Sequence, residues 1–226
     1  MSWRKSLAVL VLLGVVLGAP ALAQPASVQP ELAQLMAAFA RMPGLEARFV
    51  EKKRIGLLAQ PLESRGQLFF ARPGLLLRRV ESPRRSEVLI TPKELKLRDA
   101  DGEQSIDLRA RPDVRPFVES LTWLLAGDQK ALASVYALQF ERGDKQAPWK
   151  LTLTPRAEPL AHLIAYVRVQ GSGLAVQEIR VHEKGGDESV TEIVEANPAR
   201  KYEPAELKSL FGVEAASLSA HTSAKP

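Results

Sequence analysis

The chain contains no cysteine among its 226 residues. That absence removes disulfides, thiolate metal sites and thiol catalysis together, so stability has to come from packing. Histidine is nearly as scarce: His162, His182 and His221 stand apart, none with a second histidine at ligand spacing, and no metal site is expected. No glycine-rich phosphate loop precedes a helix, and Gly171-Ser172-Gly173 lacks the nucleophile-elbow pattern, being more simply a turn between strands. Asp99 and Asp101 flank a turn, an ordinary place for solvated carboxylates. No catalytic residue and no cofactor is assigned, and the chain is not read as an enzyme. Charge of one sign is also in short supply. The formal net charge is +5, and without Arg4 and Lys5 the balance is 29 basic residues against 26 acidic ones. Nucleic acid is therefore not an expected partner, since it demands a concentrated basic face.

Long apolar runs are missing after the first two dozen residues. Before that point, Arg4 and Lys5, the apolar run from Leu7 to Leu17, and Ala21-Leu22-Ala23 ahead of Gln24 follow the order of a cleavable secretory signal peptide over residues 1–23. The run is shorter than the roughly 20 residues a spanning helix needs, and Pro20 ends it. With no cysteine at the cleavage site, a lipid-modified N-terminus is excluded. The expectation is export to the periplasm, one domain over residues 24–212, and a disordered tail of small polar residues at 213–226.

What is present is a regular order of elements. Residues 30–42 place Leu32, Leu35, Met36 and Phe39 on one helical face, with Pro30 near the start and Gly44 just past the end. Strand-length segments follow at about 45–56, 64–72, 75–82, 85–91, 94–99 and 103–108, with Asp101-Gly102 as the centre of a tight hairpin turn. Residues 113–126 form an amphipathic helix carrying Val114, Phe117, Val118, Leu121, Leu124 and Leu125; Gly127 ends it, and Asp128 caps a shorter one through residue 135. Strands resume at about 137–142, 149–154, 163–170, 174–182 and 189–196, and a last helical turn covers 204–210. The fold class is mainly β: one antiparallel sheet of about eleven strands, curved at that size, covered by amphipathic helices. Such a bowl either encloses an apolar cavity under its helices or is filled by side chains; periodicity alone favours filling.

Gly66, Leu68, Phe70, Arg72 and Pro73 resemble the strand of the LolA family, periplasmic carriers of outer-membrane lipoproteins, in which a glycine opens an alternating strand ending in arginine-proline. Phe49 and Glu51 lie where that family has a short strand after its first helix. Trp149, Leu151, Leu153, Thr154 and Pro155 look like its later strand, and the Gln177–Val181 and Ser189–Val194 strands around Gly186 look like its C-terminal hairpin. Leu124 to Asp128 is similar to a segment of the LolA-related branch. The resemblance spans about residues 30–196. Two departures are Leu75-Leu76-Leu77 followed by Arg78-Arg79, where classical carriers tend to have an aromatic, and a C-terminal segment unlike the extra strand of some members.

The resemblance implies an incomplete β-barrel with a helical lid over an apolar cavity holding acyl chains of a lipoprotein or lipid. Cargo would come from an inner-membrane exporter and pass to an outer-membrane acceptor, with the carrier a monomer. Leu68, Phe70, Leu76, Phe49, Trp123 and Leu121 would line the cavity, and Arg72, on the same strand face as Leu68 and Phe70, would be the lid latch. From the residues alone, Arg72 reads equally well as an exposed strand-end arginine beside a turn proline. Arg78, Arg79, Arg84 and Arg85 form a basic cluster that either meets anionic headgroups or is a solvated edge; the interleaved Glu81 and Glu87 favour the edge. Two other readings stay open: an envelope adaptor or assembly factor that uses the curved sheet as a docking surface, and an unrecognised hydrolase.

Overall fold

The computed structural model describes residues 30–112, 115–144 and 147–213. The expected signal peptide, Val114 of the expected helix and the expected tail beyond Val213 lie outside them. The chain opens with α1 (Pro30–Arg41), which buries Leu32, Met36 and Phe39 along one face. Six strands follow: β1 (Gly44–Arg54), β2 (Leu62–Ala71), β3 (Leu75–Ser82), β4 (Ser86–Ile90), β5 (Glu94–Asp99) and β6 (Gly102–Asp107). A 3-10 turn at Leu108–Ala110, α2 (Arg115–Ala126) and α3 (Gln129–Val135) lead into β7 (Tyr136–Glu141) and β8 (Trp149–Pro155). After the short α4 (Leu160–Leu163) come β9 (Ile164–Ser172), β10 (Ala175–Glu183), β11 (Glu188–Asn197) and α5 (Pro204–Phe211).

All eleven strands form one curved antiparallel sheet in the order β6-β5-β4-β3-β2-β1-β11-β10-β9-β8-β7. β6 and β7 are its two edges, so the sheet does not close on itself. The connection between those edges carries α2 and α3 back over the concave side, where α2 packs against both α1 and α3. Leu32, Met36 and Phe39 of α1, Leu124 and Leu125 of α2 and Leu132 of α3 share one buried cluster with Leu45, Leu68, Phe70, Leu76, Leu151 and Val169 of the sheet. Burying each such side chain is worth about 1.5–3 kcal/mol, and this layer is the principal core.

A second cluster lies on the convex face, where Phe211 of α5 covers Phe69, Ala71, Leu75 and Leu77. The strand ends around the β2–β3 turn are therefore buried on both faces, which explains the unbroken apolar run 75–77. Glycine is required where α2 meets α1. Gly127 adopts φ +73°, and a Cβ there would stand 2.2 Å from the Met36 carbonyl oxygen and 2.6 Å from the Ala40 nitrogen.

Several local expectations are corrected. The tight turn between β5 and β6 centres on Ala100-Asp101, with Gly102 already in register opposite Asp99; the Asp99 carboxylate accepts the Asp101 N–H at 2.9 Å, and that local bond sets the turn one residue earlier. Leu108 has left the strand for the 3-10 turn. Phe117 does not join the buried face of α2 but is 49% exposed, because that helix turns Leu124 and Leu125 to the core instead.

Candidate functional site

Strand register decides what faces the lid. In β1, β2 and β3, Leu45 pairs with Phe70 and Ala47 with Leu68, while Phe70 pairs with Leu76 and Leu68 with Arg78. Paired residues share a face, so one row runs from the lid contact outward to a charged group. Leu68, Phe70 and Leu76 are buried in the cluster beneath the helices, and Leu121 and Trp123 of α2 are half-buried against it. Phe49 is buried on the same face but outside that cluster. Its ring lies against Gly66, where a Cβ would stand 3.0 Å from the ring and 1.9 Å from the Arg79 carbonyl oxygen, and beneath the Arg78 guanidinium at 4.5 Å.

Arg72 follows the last residue of β2 and is half-buried. Its Nε donates to the Met42 carbonyl at 2.7 Å and its Nη2 to the Phe39 carbonyl, also at 2.7 Å. These acceptors belong to the C-terminal end of α1, where carbonyls lack intrahelical partners and the helix dipole is negative. One cation thus ties the first lid helix to the sheet. Burial pushes its pKa below the usual guanidinium value, which still leaves it charged at neutral pH. Trp149, not assigned to the cavity from the sequence, supports the same helix from below: its ring meets Phe39 edge-on at 6.2 Å, and its Nε1 donates to the Gly173 carbonyl at 3.0 Å. The strand that carries Trp149 is legible in the sequence, but the helix its ring meets is not.

Where α2 crosses the middle of the sheet, its side chains pack directly on the strands. An apolar void lined by Leu45, Ala47, Leu68, Leu125, Val176 and Ile193 measures about 10 Å³, about the room of one water. No acyl chain fits there unless the helices move.

The basic cluster is dispersed. Arg78 faces the concave side, where it pairs with Glu51 at 3.2 Å; Glu51 also accepts from the Thr191 hydroxyl at 2.9 Å. Its neighbour Arg79 faces the convex side and pairs with Glu87 at 2.6 Å, its guanidinium over Phe69. Arg84 and Arg85 are exposed on the turn between β3 and β4.

Residues 22–211 match the model of a family described as outer membrane lipoprotein carrier protein LolA-like. Three solved structures are similar in fold at low identity. A LolA superfamily protein from Nitrosomonas europaea is 11% identical with a TM-score of 0.41, over 77% of this chain and 95% of that one. A putative outer membrane lipoprotein-sorting protein domain from Vibrio parahaemolyticus is 11% identical with a TM-score of 0.45, over 79% and 95%. The MucA/MucB complex of Pseudomonas aeruginosa is 15% identical with a TM-score of 0.45, over 78% of this chain and 60% of that one. No curated protein matches the chain.

Proposed function

This chain belongs to the LolA-like outer membrane lipoprotein carrier family, and from that premise we propose that it is a periplasmic carrier of acyl chains. Residues 24–212 would be the working domain. The observation that carries the reading is the pair of hydrogen bonds from Arg72 to the end of α1, above an apolar layer shared by helices and sheet. That arrangement is a closed state: α1, which must lift to admit a chain, is held to the sheet by a polar clasp rather than by a continuation of the backbone ladder. Lifting α1 and α2 would expose Leu68, Phe70, Leu76, Leu121 and Trp123, with Phe49 further along the same face. Each methylene that replaces lid contacts gains about 0.8 kcal/mol of transfer free energy, and reclosure of the lid opposes it, so loading is reversible. The cargo would be the acyl chains of a lipoprotein or lipid, received from an inner-membrane exporter and passed by a monomeric carrier to an outer-membrane acceptor. No covalent chemistry is needed.

A second reading, an envelope adaptor that docks partners on the curved sheet, draws on the direct packing of α2 on the strands. Native mass spectrometry of protein recovered from the periplasm separates the two. Copurifying lipid or lipoprotein is expected of the carrier, and protein that is always empty would favour the adaptor. In addition, Leu121→Asp should leave the fold intact and weaken binding of a fluorescent fatty-acyl probe about tenfold or more, because a carboxylate on an apolar wall is strongly penalised. Unchanged probe affinity would place the binding surface elsewhere.

A further inference from the structure

Because every strand is antiparallel, five strand-to-strand connections gather at the end of the sheet opposite Arg72: the β1–β2 loop at 55–61, the β3–β4 turn at 83–85, the β5–β6 turn at 100–101, the β8–β9 connection through α4 at 156–163 and the β10–β11 turn at 184–187. The first two are neighbours, since Lys53 pairs with Leu62 across the loop and Arg65 with Ser82 beside it. The Gly56 N–H donates to the Asp187 carboxylate at 3.0 Å and ties the first to the last.

The β1–β2 loop and the first residue of β2 carry three of the six large hydrophobic side chains that are exposed among the described residues. Leu57 is 96% exposed, Leu62 53% and Leu58 45%. Single exposed leucines are ordinary, whereas three at the tip of one hairpin require an account. They are bordered by cations: Lys52 and Arg54 precede the loop, and Arg84 and Arg85 occupy the adjacent turn, all four exposed and without an ion-pair partner among the described residues. The nearby carboxylates are mostly engaged, Glu63 by Arg65 at 2.7 Å, Glu183 by Lys53 at 3.1 Å and Asp187 by the Gly56 N–H. Glu81 and Asp101 remain without an ion-pair partner. Arg84 and Arg85 also line an open recess of about 700 Å³ together with Arg79 and Arg98.

We propose that this rim docks on an anionic lipid surface, with Leu57, Leu58 and Leu62 entering the boundary between headgroups and acyl chains and Arg54, Arg84 and Arg85 meeting lipid phosphates. The chemistry favours a bilayer over a protein. The loop has no aromatic anchor, the residue type that dominates protein hot spots, and it projects separate aliphatic side chains flanked by long cations, the combination that partitions into a membrane interface. The inference is independent of whether the interior carries acyl chains. It goes further than that reading in assigning the molecule an orientation, with the Arg72 end directed away from the bilayer.

The test is vesicle flotation of the exported form of the chain, its N-terminus checked by mass. Protein should float with phosphatidylglycerol–phosphatidylcholine vesicles and much less with phosphatidylcholine alone. Leu57→Asp combined with Leu58→Asp, at positions already in solvent, should keep the thermal transition of the parent and reduce flotation about tenfold or more. Arg84→Glu combined with Arg85→Glu should lose the preference for anionic vesicles. Failure of the parent to float would overturn the proposal and leave the loop as a protein-docking feature. Flotation unchanged by the leucine pair, or equal on neutral and anionic vesicles, would overturn it as well.

Discussion

The two faces of the sheet are both covered by helices, but they are held by different means. On the concave face, α1 rests on an apolar layer and is clasped by Arg72 through two main-chain carbonyls, with no carboxylate in the clasp. On the convex face, α5 is short but fastened by several groups. Phe211 is fully buried against Phe69, Leu75 and Leu77, and the Tyr202 hydroxyl donates to the Leu45 carbonyl at 2.7 Å. Arg200 pairs with Glu46 at 2.9 Å and with Glu206 of α5, while Glu203 and Glu206 cap the helix reciprocally. α5 is fastened by redundant local bonds, whereas α1 is fastened to the sheet through the Arg72 clasp. That contrast makes the carrier reading physically specific, because the two covers should respond differently to the same kinds of damage.

The largest effect is expected on the convex side. Phe211→Ala removes a fully buried ring and should destabilise the protein by about 3–5 kcal/mol, seen as a lower midpoint in urea unfolding at unchanged slope. Acyl-probe affinity of the fraction still folded should stay at the parent value. A loss of affinity in step with stability would mean that the two faces do not act separately.

Arg72→Leu should be milder in stability and larger in function. Each hydrogen bond to a charged group is worth about 1.5–3 kcal/mol, and about 1.4 kcal/mol already moves a two-state population tenfold. The closed state is therefore weakened, cargo binds at least as tightly, and release to acceptor membranes slows about tenfold. Transfer as fast as the parent would remove the latch role from Arg72 and leave it a structural cap on α1.

Acid should separate the faces most gently. The Glu206 carboxyl is held below its ordinary value of 4.5, first by the Glu203 N–H, against a smaller opposing effect of burial, and also by Arg200. A carboxylate with a depressed folded pKa contributes stability above its unfolded value and loses it as pH falls through the folded one. Hydrogen exchange should accordingly show α5 amides losing protection below about pH 4.5 while α1, whose clasp has no acid, keeps its own. Simultaneous loss in both helices would erase the distinction.

Much of the fold was legible because turn residues punctuate nearly every strand. All eleven strands emerged from that punctuation, and Asp128 was visible as the cap it is, accepting the Ala131 N–H at 2.9 Å. Strand parity also placed Arg72 on the face of Leu68 and Phe70. What was not legible is the partner of each face. Arg78 and Arg79 are adjacent in sequence and read as one cluster, yet they lie on opposite sides of the sheet with different carboxylates. Phe69, Leu75 and Leu77 belong to a second core because α5 returns from more than a hundred residues away, and no local pattern announces that return. Periodicity leaned towards a bowl filled by side chains, but it assigns a side chain to a face without saying how much facing volume the lid supplies.

The pairing of β1 with β11 has a kinetic consequence. Every other neighbouring pair in the sheet joins strands consecutive in sequence, and β1–β11 alone joins its two halves. A chain made from its N-terminus can assemble β1 to β6 early, but one side of β1 then waits, its amides and carbonyls unpaired, until Glu188–Asn197 arrives. Closure of the molecule is thus timed by its last strand, and for that interval β1 offers a bare template to any extended segment nearby. The most basic stretch of β1, Lys52-Lys53-Arg54, lies on that waiting edge, where like charge discourages a second copy of β1 from pairing before its own partner does.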